Sequence, residues 1–237
     1  MKLLIGAVTH KGHKYLLDFW AKALKAQGAD VLCIVPKQDN AYGTLLKSLG
    51  FSVLEVAPEK TFKDQLLQGR RLLRKHALQN GYDALFLING DIIVPDNARE
   101  LLEKTQADVA AGVYLNAFEL DGKTVVAPFV FKDLGDGNAQ LYTYDGIASA
   151  QILEVGAAGL GCVLINKKVL EKIDFQTFGK AGTEDMKFFV DARAAKFKCV
   201  ANTVVKCLQA PFPLDDPRIK AYQWSKQVYD YTITSNY

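Results

Sequence analysis

Strand-like and helix-like segments alternate along the first hundred residues. Apolar side chains dominate residues 2–9, and residues 13–27 then carry apolar side chains at helical spacing. The alternation continues with strands predicted at 30–36, 51–56 and 82–88, and with helices at 42–49, 61–79 and 96–105. Strands that are apolar on both faces and separated by helices form parallel sheets. The pattern therefore predicts an α/β fold, a Rossmann-like three-layer sandwich around a central, mostly parallel sheet.

From residue 107 the pattern changes to short strands separated by polar turns. A strand is predicted at 109–115, and the segment 117–154 contains three Asp-Gly pairs typical of hairpin turns, at 121–122, 136–137 and 145–146. A glycine-rich loop precedes the later elements, which are a strand at 162–165, a helix at 184–196 and a strand at 199–207. No repeat or low-complexity linker interrupts the chain. We therefore expect one domain over 1–237, made of two halves (1–106 and 107–210) and a C-terminal tail (211–237).

Composition excludes several classes of protein. Apolar residues make up 49% of the chain, and a net charge of +3 is too small and dispersed for a nucleic-acid surface. The four cysteines show no metal-binding or redox spacing, so we expect reduced core residues. The apolar N-terminal run is too short for a signal peptide, and no run approaches the roughly 18 to 20 residues of a membrane span. A cytoplasmic protein without a transmembrane segment is expected.

Polar residues follow three of the predicted elements at places where ligands bind. In parallel sheets ligands bind beyond the carboxyl ends of the strands. The clusters are Thr9-His10, Asn89-Gly90-Asp91 and Thr183-Glu184-Asp185. A carboxylate such as Asp91, fixed on a tight turn behind a rigid strand, can hold a divalent cation that bridges a diphosphate. A turn residue or a helix N-cap ahead of Pro95 explains Asp91 equally well. His13 and His76 lack partners at metal-ligand spacing and are interpreted as residues of the helix surface.

Five segments of the sequence resemble motifs of the glycosyltransferases of the GT-A fold, especially family-2-like enzymes, and they occur in the same order along the chain. Residues 86–95, Phe-Leu-Ile-Asn-Gly-Asp-Ile-Ile-Val-Pro, resemble the hydrophobic strand and DxD element of that family. Residues 68–71 resemble its "aRN" element, and residues 111–114 the strand after DxD. Residues 155–165 resemble the acceptor-side "G-G-x-x-L-I" element, and residues 183–189 the "ED" motif. The matches extend over residues 2–209.

The resemblance implies a GT-A fold and transfer of a sugar from a nucleotide-sugar donor to the hydroxyl of a glycan, lipid or small-molecule acceptor. The nucleotide-binding half would be 1–106 and the acceptor half 107–210. Implied nucleotide contacts are Thr9, His10, Asp39, Arg70, Asn89 and Asp91, and implied acceptor contacts are Gly159 and Gly161. Asp185 would be the general base and Glu184 an acceptor ligand, with inversion at the anomeric carbon if Asp185 has that role. Both acids are also what a helix N-terminus favours by itself.

Two departures from the family pattern concern the metal. Asn89 stands where the family has the first Asp of DxD, and Gln209 stands where it often has a metal-binding His. A Mg²⁺ or Mn²⁺ ion held by Asp91 and Gln209 would therefore depend on the diphosphate for most of its coordination. Alternatively, the cations Arg70, Arg71 and Lys206 would neutralise the leaving group.

Alternative functions differ in what they require of the sequence. A dinucleotide-dependent oxidoreductase needs G-x-G-x-x-G after the first strand, and residues 5–12 lack it. A nucleotidyltransferase would normally show a Gly- and Arg-rich loop at the same place, and none is present. A catalytically silent nucleotide- or sugar-binding protein stays open, because it would tolerate the changes at Asn89 and Gln209.

Overall fold

The fold is taken from a computed structural model, which describes residues 1–120, 122–135, 138–178 and 183–224. The strands of the first half are β1 (Leu3–Val8), β2 (Asp30–Pro36), β3 (Ser52–Val56), β4 (Ala84–Ile88), β5 (Ile92–Ile93) and β6 (Val109–Val113). Those of the second half are β7 (Leu115–Leu120), β8 (Lys123–Pro128), β9 (Val130–Gly135), β10 (Asn138–Leu141), β11 (Ile152–Glu154), β12 (Ala157–Ala158), β13 (Cys162–Asn166), β14 (Cys199–Lys206) and β15 (Leu208–Gln209). The α-helices are α1 (Leu17–Ala26), α2 (Asn40–Ser48), α3 (Phe62–Gln79), α4 (Ala98–Glu103), α5 (Lys167–Lys172) and α6 (Glu184–Ala194).

A central eight-stranded sheet has the order β11-β14-β6-β13-β4-β1-β2-β3. β1, β2, β3, β4, β6 and β14 run parallel, whereas β13 and β11 run antiparallel to their neighbours. The predicted α/β class with a mostly parallel sheet is therefore confirmed. β13 inserts between β4 and β6, which brings the glycine-rich loop before it beside the end of β4.

Helices cover both faces of this sheet, and β1 shows how. A Cβ at Gly6 would lie 2.9 Å from a methyl group of Leu73, so the even-numbered positions of β1 face α3. On the same face Val8 packs against Gly69, where a Cβ would lie 2.5 Å from a Val8 methyl group. The odd-numbered Leu3, Ile5 and Ala7 are also buried, so the opposite face is covered as well. Burial on both sides is why β1 is apolar at successive positions.

Several predicted elements differ from the observed ones in detail. The helix expected at 13–27 starts as a 3-10 turn over Lys11–Leu16, capped by His10, before α1 begins. The Asp145-Gly146 pair lies in a 3-10 turn, Asp145–Ile147, and not in a hairpin, because Gly146 N–H bonds back to the Thr143 hydroxyl. Asp121 and the pair at 136–137 lie outside the described residues, as does the tail beyond residue 224.

The predictions for the cysteines and for membrane spans are partly tested by the fold. All four cysteines are buried and unbridged, as predicted. None of the helices within the described ranges combines the length and hydrophobicity that crossing a bilayer requires.

Candidate functional site

The carboxyl ends of β1, β2 and β4 bring together residues from two of the predicted clusters and the implied nucleotide contact Asp39. Thr9 directly follows β1 and is buried, and its hydroxyl lies 3.2 Å from both His13 Nδ1 and the Tyr42 hydroxyl. Asp39 follows β2, and Asn89 follows β4. The Thr9 hydroxyl therefore already has side-chain partners within the protein, and it holds His13 and Tyr42 together at the end of β1.

A cavity of about 400 Å³ opens beyond β1 and β2, and His10, Asp39, Phe62 and Gln65 contribute to its wall. The Asp39 side chain is 4% exposed, and its Oδ2 accepts the Lys11 backbone N–H at 2.9 Å. Its Oδ1 is buried without a hydrogen-bond partner among the described residues; the Lys11 ammonium lies 3.7 Å away. A larger cleft of about 690 Å³ lies at the opposite ends of these strands, and no predicted site residue lines it.

An aromatic cluster of His10, His13 and Phe62 lies at the edge of the 400 Å³ cavity. The two imidazole rings have centroids 4.1 Å apart, and the Phe62 ring lies 5.0 Å from His10. Burial lowers the pKa of His13 to about 4, and the negative charge of Asp91 only partly opposes it. Burial also lowers the pKa of His10. The prediction that His13 lies on the helix surface holds only in part: His13 is partly exposed, and its Nδ1 lies against the Thr9 hydroxyl.

The turn Asn89-Gly90-Asp91 is fixed by backbone contacts. The Asn89 N–H donates to Gly161 O at 3.0 Å, and the Trp20 indole N–H donates to Asn89 O at 2.9 Å. Gly90 packs so closely that an added Cβ would lie 2.4 Å from His13 Nδ1 and 2.5 Å from the Thr9 hydroxyl. The turn thus joins the first strand to the glycine-rich loop.

Asp91 meets Gln209, the residue with which it was predicted to hold a metal. β5 and β15 pair antiparallel, and the Gln209 amide donates to Asp91 Oδ2 at 3.0 Å. The other amide atom, Gln209 Oε1, is buried without a partner among the described residues. Among the residues that the structure describes, no group of three or more His, Cys, Asp or Glu side chains could hold a metal ion. Two oxygen donors fit a Mg²⁺ or Mn²⁺ ion only where a bound diphosphate supplies further oxygens.

Arg70 is buried at 2% exposure in the middle of α3 and links the turn to α6. One guanidinium nitrogen, Nη1, donates to Glu184 Oε1 at 2.6 Å and lies 3.6 Å from Asp185 Oδ1. The other, Nη2, donates to Asn89 Oδ1 at 3.2 Å, and Nε has no partner among the described residues. The predicted contacts Arg70 and Asn89 therefore bind each other.

The other two predicted cations point to backbone carbonyls. Arg71 Nε donates to Phe175 O at 2.8 Å, and the buried Lys206 ammonium donates to Thr203 O. Burial lowers the pKa of Lys206 to about 8. Both cations therefore already have a backbone hydrogen-bond partner.

The glycine-rich loop lies between the turn and the acid pair of α6, and it packs on Tyr114. A Cβ at Gly159 would lie 1.9 Å from the Tyr114 hydroxyl, and one at Gly161 would lie 2.9 Å from it. The Gly161 N–H also donates to that hydroxyl at 3.3 Å. Burial raises the pKa of Tyr114 well above its ordinary value, and the charges of Asp185 and Asp91 raise it further. Tyr114 therefore sits within electrostatic range of both carboxylates.

The two acids at the start of α6 differ in environment. Glu184 is 3% exposed, and burial raises its pKa although Arg70 opposes this. Asp185 is 13% exposed, and its Oδ1 accepts the Leu160 N–H at 2.6 Å. Its Oδ2 makes no hydrogen bond with the described residues, so one carboxylate oxygen is available as a proton acceptor.

Sequence reasoning missed His13, Phe62, Gln65 and Tyr114 as neighbours of the site. His13 follows His10 by three residues, a spacing that places both on one side of a single turn. That spacing was the available signal. Tyr114 belongs to the block 111–114 that resembles the strand after DxD, but its contact with the glycine-rich loop depends on the pairing of β13 with β6.

Comparison with known proteins gives a fold and no family. No protein-family model and no curated protein matches the sequence. Among solved structures, A197 from STIV aligns over 90% of this chain and 87% of its own, with 17% identity and a TM-score of 0.51. UDP-glucose pyrophosphorylase complexed with UDP-glucose aligns over 88% of this chain and 93% of its own, with 12% identity and a TM-score of 0.54. 4-Diphosphocytidyl-2C-methyl-D-erythritol synthase aligns over 92% of this chain and 94% of its own, with 10% identity and a TM-score of 0.50. At these identities the likeness concerns the fold.

Proposed function

We propose that this protein binds a nucleoside-diphosphate sugar beyond β1, β2 and β4 and transfers the sugar to an acceptor hydroxyl. The observation that carries the proposal is the buried Asp39 Oδ1, which lacks a hydrogen-bond partner among the described residues and belongs to a residue that lines the cavity. A buried carboxylate oxygen without a donor costs free energy, which a ligand hydroxyl or N–H would recover. His10 connects the cavity to the turn, since both Asp39 and Asp91 act on its pKa.

In this proposal the nucleoside occupies the cavity. Asp39 accepts a hydrogen bond from a ribose hydroxyl or a base N–H, and the rings of His10 and Phe62 offer apolar faces to the base. Phe62 is 48% exposed and lines the cavity, so its ring is accessible to a bound base. The diphosphate would then extend toward Asp91.

Transfer itself would use Asp185. The acceptor hydroxyl gives its proton to Asp185 while its oxygen forms a bond to the anomeric carbon, and the bond from that carbon to the diphosphate oxygen breaks. The nucleoside diphosphate leaves with the bonding electrons. Attack opposite the leaving group inverts the anomeric carbon. The Asp185 Oδ2 atom suits this role, since Leu160 binds only Oδ1.

A divalent cation would bind between Asp91, Gln209 and the diphosphate. When bound, such an ion neutralises charge on the leaving group. Gln209 would have to turn its oxygen toward the ion and release the hydrogen bond to Asp91.

Two other functions are weighed against this one. UDP-glucose pyrophosphorylase has a similar fold, but the segment after β1 is a capped 3-10 turn with Gly12 as its one glycine, unlike a glycine-rich phosphate loop. A silent nucleotide- or sugar-binding protein is favoured by Asn89 and Glu184, which both bind Arg70. Retained binding without transfer would identify that second function.

Calorimetric titration with a panel of nucleoside diphosphates and nucleotide sugars, with and without Mg²⁺ or Mn²⁺, tests the proposal. The substitution Asp39→Asn should weaken binding by about tenfold, because a charged acceptor becomes neutral. Asp30→Asn, at the start of β2 and so at the opposite end of that strand from Asp39, is the matched control and should bind like wild type. If no nucleotide binds the wild-type protein, both the transferase and the silent-binder functions are wrong.

A second substitution separates binding from transfer. Asp185→Asn should keep nucleotide affinity and abolish sugar transfer to a panel of acceptors, measured by release of the nucleoside diphosphate. Transfer that survives Asp185→Asn at the wild-type rate would exclude Asp185 as the base.

A further inference from the structure

We infer that Arg70 is a positioning residue that couples the 89–91 turn to the acid pair Glu184-Asp185, and that Asn89 is its neutral partner and not half of a cation site. The inference rests on the proposed function only where turnover is concerned. Its geometric part holds for any ligand.

Arg70 contacts three elements at once. It projects from α3, pairs with Glu184 at the start of α6 and bonds the Asn89 side chain after β4. The two Nη atoms of a planar guanidinium bond one partner each in a fixed geometry, which holds Glu184 and Asn89 in place more firmly than the point charge of a lysine would. A shift of α6 relative to the turn would break at least one of these hydrogen bonds.

The charges around Arg70 explain why residue 89 is neutral. One guanidinium already faces the carboxylates of Glu184 at 2.6 Å and Asp185 at 3.6 Å. A third carboxylate at position 89 would add uncompensated negative charge to a buried cluster, whereas an amide oxygen accepts the same hydrogen bond without charge.

The two side chains of the turn also have different partners. Asn89 Oδ1 meets Arg70, while Asp91 Oδ2 meets Gln209. A carboxylate placed at 89 would therefore be drawn to Arg70 and away from the cation side of the turn. Restoring the acidic pattern of a DxD element would not restore a metal site.

Carboxyl ¹³C NMR titration of Glu184 tests the coupling without any ligand. Glu184 is faced by Arg70 and Asp185, and Lys63 also acts on it. Arg70→Lys retains a charge but cannot reach Glu184 and Asn89 together, so the pKa of Glu184 should rise by about one unit. Arg71→Lys, one residue along α3 and bonded to Phe175 O, is the matched control and should leave that pKa unchanged. An unchanged Glu184 titration in Arg70→Lys would overturn the inference.

The same variants distinguish positioning from plain stability. In Arg70→Lys, turnover should fall about tenfold or more while nucleoside diphosphate affinity stays near wild type, because the acid pair moves and the nucleoside cavity does not. Equal losses of affinity and turnover would contradict a positioning role. If Arg70→Lys does not fold, the charge-matched pair Arg70→Met with Glu184→Met should fold and still lose turnover. If wild type neither binds nor turns over nucleotides, the proposed function fails and the NMR result still decides the coupling.

Mn²⁺ binding, followed by electron paramagnetic resonance, tests the role of Asn89. Asn89→Asp should raise the pKa of Glu184 and leave Mn²⁺ affinity at the wild-type level. Gln209→Glu is the contrasting variant: it sets a second carboxylate beside Asp91 and should strengthen Mn²⁺ binding by about tenfold. A comparable gain in Asn89→Asp would show that residue 89 faces the cation and would overturn the assignment.

Discussion

At the scale of single residues, the site depends on one missing side chain. Gly90 lets the 89–91 turn lie directly on Thr9 and His13, and its backbone does not need a positive φ angle. Its requirement for glycine is therefore one of space. The same argument applies to Gly159, which lies against the ring of Tyr114.

Gly90→Ala should destabilise the protein by about 1–3 kcal/mol, because the new methyl group would displace the Thr9 hydroxyl and the His13 ring. Gly43→Ala in α2 is the matched control. Its Cβ would meet Glu55 at 3.4 Å, an ordinary contact, and should stabilise the helix by about 0.5–1 kcal/mol. Urea unfolding of both variants measures the two effects. A stable Gly90→Ala would mean that the turn is not packed as tightly as the distances indicate.

At the scale of elements, the start of α6 brings the acid pair to the site. Thr183 is the N-cap, and its hydroxyl accepts the Met186 N–H at 3.4 Å. The next two residues are Glu184 and Asp185, whose charges are favourable in the first turn of a helix. The helix-terminus and ED-motif explanations are thus compatible, since one arrangement satisfies both.

Thr183→Ala should cost about 1 kcal/mol through loss of the cap. It should also change the hydrogen exchange of the Leu160 amide, because that N–H bonds to Asp185 in the same turn. Thr61→Ala removes the corresponding cap of α3 and is the control: a similar loss of stability is expected, without the effect at Leu160. If the Leu160 amide exchanges equally fast in the two variants, the Thr183 cap does not influence the position of Asp185, and the prediction is wrong.

At the scale of the whole molecule, stability depends on keeping the histidine cluster neutral. The pKa of His13 is about 4 in the folded protein, below its ordinary value of 6.5. The unfolded chain therefore binds the proton more readily. The stability linked to His13 is fully present above pH 6.5 and is lost as the pH falls from 6.5 toward 4.

His13→Asn should make the free energy of unfolding less sensitive to pH in this window. Urea unfolding at pH 7, 6, 5 and 4.5 measures the slope. His76→Asn, near Tyr82 and away from the cluster, controls for loss of a histidine as such. Identical slopes for wild type and His13→Asn would mean that the His13 ring is protonated as easily in the folded protein as in the unfolded one.

Local pattern predicted most of the strands and helices and several of the candidate site residues. Runs of apolar residues placed the strands, and the polar residues after them marked Thr9, Asn89 and Asp91, which lie at one edge of the sheet because parallel strands end together. Asp39, at the same edge, was expected from the family resemblance. The pairing of Asp91 with Gln209 was also anticipated, although from a resemblance and not from spacing.

The tertiary structure alone decided which partners these residues have. Arg70 and Glu184 are separated by 114 positions, and no periodicity connects them. Their contact depends on the fold: α3 carries Arg70, and the start of α6, which bonds the loop before β13 through Asp185 and Leu160, carries Glu184. Likewise, the His13 ring lies against the 89–91 turn, where only a glycine at position 90 leaves it room. Sequence patterns indicate which face of a helix or strand must be buried. Which residues then pack against that face depends on the order of strands in the sheet.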